Sequence, residues 1–429
     1  MNRYIENTMQ MITKTAVLAL GIPYLIVIAA NVFYGWPSSR GEARYKALHP
    51  QRVYKQNYLI LEQAALLKWL PLWLKWNQFY RSSDEASKDH TYGRNGNTLD
   101  IWKPDSISTS DDGEKKASKP VVVFIYGGAW GSGHKAMYGL LGQSLANSLG
   151  CVAVIPNYST YPKGTAPDML HDIEDTIHFI QSSDLIKSYG ADINNIILVG
   201  HSAGAHLAAQ LVVNLANSSK PLKHQEPSCI EPECDTNSET VHLDRGCFDN
   251  FYEYEIDMYM GDTDLCQSSN NAESSLNNAE SSYHKVIHSI KGVVGIGGPY
   301  HIMDHYHHET WRGVEDFSPM WRAMHGLENF DQFSPTVTVK DLEKDQTNKL
   351  PSFLLIHGAK DTTVPIISSE KFADALSSMD VPVTLKVLVD GGHAEIALDM
   401  MESGRTFYDP MIGILRDWMK VNGIHTSVH

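Results

Sequence analysis

The stretch "NIILVG" (195–200) runs through His201 and Ser202 into "SAGAHLAAQLVVNLA" (202–216) with no linker between them. The first run is continuously apolar and β-branched; the second is apolar on every side of a helix. A strand without polar alternation is covered on both faces, which is the habit of a parallel sheet between helices. The chain must turn sharply at the junction, where Gly200-His201-Ser202-Ala203-Gly204 spells G-x-S-x-G. Glycines on both sides leave room for a strained backbone that holds the serine hydroxyl out of the turn, as at a nucleophile elbow. A helix N-cap would also explain Ser202, but it leaves both glycines without a purpose.

The same alternation extends along the chain. "TLDIWKP" (98–104), "PVVVFIY" (120–126), "CVAVIPNY" (151–158), "SIKGVVGIGG" (289–298), "LPSFLLIHGAKDTTVP" (350–365) and "PVTLKVLVDGGH" (382–393) read as strands. Helical segments are expected around 135–148, 167–189, 368–378 and 409–421. This predicts an α/β fold with a mostly parallel central sheet and helices on both faces. Residues 217–284 break the rhythm with low-complexity "NNAESS"-like units and are read as an insertion. The organisation expected is an N-terminal anchor at 1–40, a juxtamembrane linker at 41–90, and one α/β domain at 91–425.

A serine hydroxyl is a poor nucleophile at neutral pH. It needs a base, and the base needs an orienting carboxylate. Behind a nucleophile elbow these follow in the order acid, then histidine, each just beyond a strand. "FLLIHGAKDTTVP" offers Asp361, and "KVLVDGGHAEIAL" offers His393. His357 and Asp390 are rivals: the first reads as strand-end packing, the second as a turn residue beside the base.

The glycine-rich loop "YGGAWGSGHKA" (126–136) admits two nucleotide-binding readings, a near P-loop over Gly128–Lys135 and a G-x-G-x-x-A over Gly131–Ala136. Both fail on specifics. His134, Lys135 and Ala136 follow the last glycine where a P-loop needs Lys then Ser/Thr. "CVAVIPNYSTYP" also lacks the acid that a dinucleotide site wants at the next strand end. Beside a serine nucleophile the loop has another use: backbone N–H groups of Gly127, Gly128 and Ala129, with that of Ala203, would bind an oxyanion. Tyr126 and Trp130 are then expected at a substrate pocket.

Residues 15–39 contain no charged side chain and are long enough to span a membrane, although a cleaved signal peptide is the rival reading. Trp69, Trp73 and Trp76 share a helical face flanked by Lys68 and Lys75. That suits either a helix at the headgroup boundary or one packed on the domain. Arg40, Arg44, Lys46, Arg52 and Lys55 follow the span and favour a cytosolic domain. Cys229, Cys234, Cys247 and Cys266 cluster as luminal disulfides would, so orientation stays open. The net charge of −15 argues against nucleic acid as a partner. His301, His305 and His308 with Asp304 have metal-ligand spacing on one helical face. Without H-E-x-x-H, and with serine chemistry that needs no metal, they read instead as a polar helix near the substrate mouth. No cofactor is expected.

From about 90 to 205 the chain resembles the isoprenylcysteine methylesterases, an α/β-hydrolase family that removes the methyl group from prenylated cysteine methyl esters. The matching stretches are "YGRNGNTLDIWKP", "GGAWGSGHKAMYGLLGQSLA", "NYSTYPKGTAPDMLHDI" and "GHSAGAHLAAQ"; "DHYHHE", "FSP" and "HGAKDTTVP" follow in order. The resemblance implies a triad of Ser202, His393 and Asp361, an oxyanion loop at Gly127, Gly128 and Ala129, and a lipid-modified ester substrate. It also implies a membrane anchor ahead of the domain, in the endoplasmic reticulum or Golgi. One position departs: the family's H-G-G-A-W begins here with Tyr126. A kynurenine formamidase, which shares the H-G-G-x-W form, a general lipid or carboxylesterase, and a non-catalytic membrane-anchored hydrolase-fold binding module are the alternatives.

Overall fold

The computed structural model describes residues 21–29, 48–64, 68–105, 118–217, 285–315 and 317–424. They belong to one unit, formed by residues 1–218 with 282–429. Of the expected insertion at 217–284, Asn217 is described; the rest, with its four cysteines, lies outside the described residues. Eight strands form a single sheet in the order β1-β2-β4-β3-β5-β6-β7-β8. They are β1 (Ala86–Tyr92), β2 (Asn97–Trp102), β3 (Lys119–Ile125), β4 (Val152–Pro156), β5 (Ala191–His201), β6 (Ile290–Ile296), β7 (Ser352–Gly358) and β8 (Val383–Leu388).

β1 pairs with β2 and β2 with β4 in antiparallel fashion, while β3 through β8 run parallel to one another. The central strands are the ones read as continuous apolar runs. Val121 to Ile125, Val152 to Ile155 and Ile196 to Val199 are all buried, because helices cover both faces. β1 is a half-exposed edge strand with the polar sequence "ASKDHTY", the composition that blunts an edge against unwanted pairing.

The helices used below are α1 (Pro50–Ala64), α2 (Leu70–Ser82), α3 (Gly139–Leu149), α4 (Ala166–Ser182), α5 (Ala203–Ala216), α6 (Ile302–Arg312), α7 (Ile367–Ser378) and α8 (Tyr408–Val421). α5 buries nearly every residue, as its all-round apolar sequence requires. α2 is split between two surroundings. Leu72, Trp76, Phe79 and Tyr80 face the core, and Phe79 stacks on Trp102 at 5.7 Å between ring centres. Leu70, Trp73 and Leu74 stay exposed. Trp69 is buried beneath the Arg405 guanidinium, so the tryptophan face expected at 69–76 divides between protein and solvent.

Of the apolar run 15–39, residues 21–29 are described and helical; the remainder lies outside the described residues. Among the described residues no helix is long and apolar enough to cross a membrane. α1 packs through Gln56, whose amide donates to the Gly313 carbonyl at 2.9 Å, and through an Arg52–Glu315 ion pair at 2.8 Å.

Candidate active site

The parallel strands deliver their loops to one edge of the sheet, the place where open α/β sheets bind ligands. Ser202 directly follows β5, Asp361 lies three residues past β7, and His393 lies in the turn after β8. Ser202 sits at φ 54° and ψ −122°, a positive-φ conformation that a non-glycine residue adopts only under constraint. The constraint is packing. A Cβ on Gly204 would collide with the Ile125 carbonyl, so glycine there lets α5 press against the end of β3 and forces the turn.

These three residues, 191 positions apart at the extremes, meet in space. His393 Nε2 lies 2.9 Å from Ser202 Oγ, and His393 Nδ1 lies 2.7 Å from Asp361 Oδ2. The Asp361 side chain is fully buried while that of His393 is 16% exposed, which leaves the imidazole open on the serine side. Asp361 Oδ1 accepts the backbone N–H groups of Thr363 at 2.9 Å and Val364 at 2.8 Å. Burial alone would raise its pKa. Hydrogen bonds from His357 and His393 outweigh that and hold the carboxyl well below the usual range, so it stays ionised. His393 Nδ1 therefore carries the proton and Nε2 is free to accept one from the serine.

The glycine-rich loop after β3 closes the other side. Gly127 abuts Ser202 so tightly that a Cβ there would overlap the serine's own. Gly128, Ala129 and Trp130 have φ of 135°, 51° and 59°. This run of positive angles folds the loop back on itself, and the Gly128 carbonyl accepts from the N–H of Gly131 and Ser132. Ala203 opens α5, so its N–H is among the four that the helix cannot satisfy internally.

Tyr126 and Trp130 lie behind this loop, each 1% exposed. The Tyr126 ring stacks between Tyr138 and Tyr158, and its hydroxyl donates to Asn157 Oδ1 at 3.2 Å. Its surroundings are core rather than substrate space. Trp130 Nε1 donates to His206 Nδ1 at 3.2 Å. Lys135, the lysine of the near P-loop, is also buried. It donates to Asp100 at 2.5 Å, Asp89 at 2.6 Å and the Tyr80 hydroxyl at 3.0 Å, which engages the ammonium inside the protein rather than at a phosphate.

The histidines near the triad divide by role. His201 is buried, its Nε2 donating to the His393 carbonyl at 2.9 Å, and burial pushes its pKa down to about 3. On α6 the expected polar face does not converge on one point. His301 caps the helix by accepting the Asp304 N–H, and His308 Nε2 donates to the Thr362 carbonyl at 3.0 Å in the acid's loop. His305 is buried, its ring 6.3 Å from that of Trp130, with Nε2 3.5 Å from Glu309. Burial drives His305 down to about 3 and Glu309 up to about 8, so at neutral pH this is a contact of two neutral groups, not an ion pair. The rival acid Asp390 pairs with Lys360 at 2.6 Å on the surface, and the carboxylate on His393 Nδ1 is that of Asp361.

A BD-FAE family model matches residues 110–376, which is more than half of the chain and includes the loop, the elbow and the acid. The chain belongs to the BD-FAE family. Among curated relatives, the isoprenylcysteine alpha-carbonyl methylesterase ICME of Arabidopsis thaliana is 28% identical over 353 residues, covering 81% of this chain and 66% of that protein. A probable isoprenylcysteine alpha-carbonyl methylesterase, ICMEL1, of Oryza sativa subsp. japonica is 29% identical over 330 residues, covering 76% and 61%. The chain thus spans just under two thirds of the length of these relatives. Among solved structures, an esterase of Pyrobaculum calidifontis aligns with a TM-score of 0.52 at 14% identity, covering 85% of this chain and 94% of the esterase. That likeness establishes the α/β-hydrolase fold of this BD-FAE member, as the sheet order already suggests.

Proposed function

We propose that this BD-FAE member is a serine carboxylic-ester hydrolase. The observation that carries the reading is the relay from Ser202 through His393 to a buried, ionised Asp361, at 2.9 and 2.7 Å. Ser202 Oγ attacks the ester carbonyl carbon as His393 Nε2 takes its proton. The oxyanion that forms is held by backbone N–H groups from Gly127, Gly128 and Ala129 together with that of Ala203. The tetrahedral intermediate collapses, and His393 returns the proton to the departing alcohol. Water, deprotonated by His393, then cleaves the acyl-serine and restores the enzyme.

The substrate proposed is an isoprenylcysteine methyl ester, with methanol as the first product. The named relatives and the motifs shared with that family support this choice. The apolar run 15–39 is proposed to tether the chain at a membrane, beside a lipid-modified substrate. The test is a substrate panel on the full chain: farnesylcysteine methyl ester, a short p-nitrophenyl ester and N-formylkynurenine, each with a Ser202→Ala control. The prenylated ester should show the highest kcat/KM. Preference for the formamide would replace this substrate with an aryl formamide, and no turnover of any ester would reject the esterase reading.

A further inference from the structure

His357 is fully buried at the end of β7, yet it does more than fill space there. Its neighbours Leu354, Leu355 and Ile356 are apolar, and an apolar side chain would pack at this position without the desolvation that an imidazole suffers. The imidazole has a partner at each nitrogen. Nε2 lies 2.9 Å from the Val364 carbonyl and 3.3 Å from Asp361 Oδ2. Both are acceptors, so Nε2 carries hydrogen. Nδ1 of the neutral ring is then an acceptor, and the Ser369 hydroxyl, 2.7 Å away on α7, donates to it. Ser369 thereby selects the tautomer with hydrogen on Nε2, which the Val364 carbonyl accepts and which lies beside Asp361 Oδ2.

We infer that His357, oriented by Ser369, is a positioning residue for the triad: its Nε2–H, bonded to the Val364 carbonyl and beside Asp361 Oδ2, fixes the acid's loop and carboxylate for His393. The inference rests on the esterase reading above. Thr363 and Val364 hold Oδ1, whereas Oδ2 is shared by His393 and His357. Without His357, Oδ2 keeps His393 as its hydrogen-bond partner among the described residues, and the carboxylate and the Val364 segment that holds Oδ1 lose a restraint. The titratable groups around His393 are Asp361, His357, His201, His305 and Glu395; all but His357 are retained in the variants below.

The experiment compares His357→Leu, His357→Gln, Ser369→Ala and Ser202→Ala on a soluble p-nitrophenyl ester, with melting curves alongside. His357→Leu should lower kcat roughly 10- to 100-fold with KM within about twofold, as expected when a reacting group is misplaced. Glutamine, whose amide N–H can take the place of Nε2–H, should recover most of the rate. Ser369→Ala should lose rate several-fold with KM unchanged, and it carries the test if His357→Leu does not fold. Wild-type kcat in His357→Leu or Ser369→Ala, or equal losses in the leucine and glutamine variants, would overturn the inference. An active Ser202→Ala would reject the esterase reading instead.

Discussion

Ser202 is held at φ 54°, and Gly128 reaches φ 135° across from it. The proposed mechanism links the two: it has the loop's N–H groups face a carbonyl bound at the serine. A methyl group at Gly128 would meet the Ser132 carbonyl and hydroxyl besides straining the backbone. Gly128→Ala should therefore lower kcat about 10²-fold or more, with smaller change in KM, in steady-state ester hydrolysis. Glu309 supports a prediction of a different kind. Burial raises its pKa to about 8, above that of an unfolded glutamate. The folded state thus binds an extra proton between the two values, and the stability this confers is complete below the unfolded pKa and lost as pH rises through 8. Glu309→Gln should melt close to wild type near pH 5 and above it near about pH 8.5, by an amount equivalent to about 4 kcal/mol. Parallel melting curves at both pH values would contradict the assignment.

The loop after β3 owes its shape to elements that its own sequence does not mention. Lys135 ties the turn at its end to Tyr80 on α2, Asp89 on β1 and Asp100 on β2. Burial alone would lower the lysine's pKa, but these three partners raise it above the usual value, so it stays charged at 1% exposure. Lys135→Met would strand Asp100, which is wholly buried, and should destabilise the domain by about 3 kcal/mol or more in chemical unfolding. In the sequence this lysine reads only as a failed P-loop residue, because its partners are 35 to 55 positions away. Tyr126 is misleading for the same reason: its motif position suggests a pocket, but the stacking rings of Tyr138 and Tyr158 are set by tertiary packing. The strands and the elbow are legible because continuous apolar runs and glycine spacing are local signals.

The order serine, acid, histidine is likewise legible, since each residue follows a strand of a sheet whose loops emerge on one edge. What sequence order cannot express is contact between those loops. His201 under His393 and His357 under Asp361 are both near motif residues in the chain, yet only folding shows which atoms they touch. The central claim is that Ser202 is the nucleophile. It is tested most directly by treating the full chain with a fluorophosphonate probe, locating the adduct by mass spectrometry and assaying ester hydrolysis beside it. A single adduct on Ser202 is predicted, lost in Ser202→Ala together with a fall in kcat of at least about 10³-fold. An adduct elsewhere, or wild-type hydrolysis by Ser202→Ala, would contradict it.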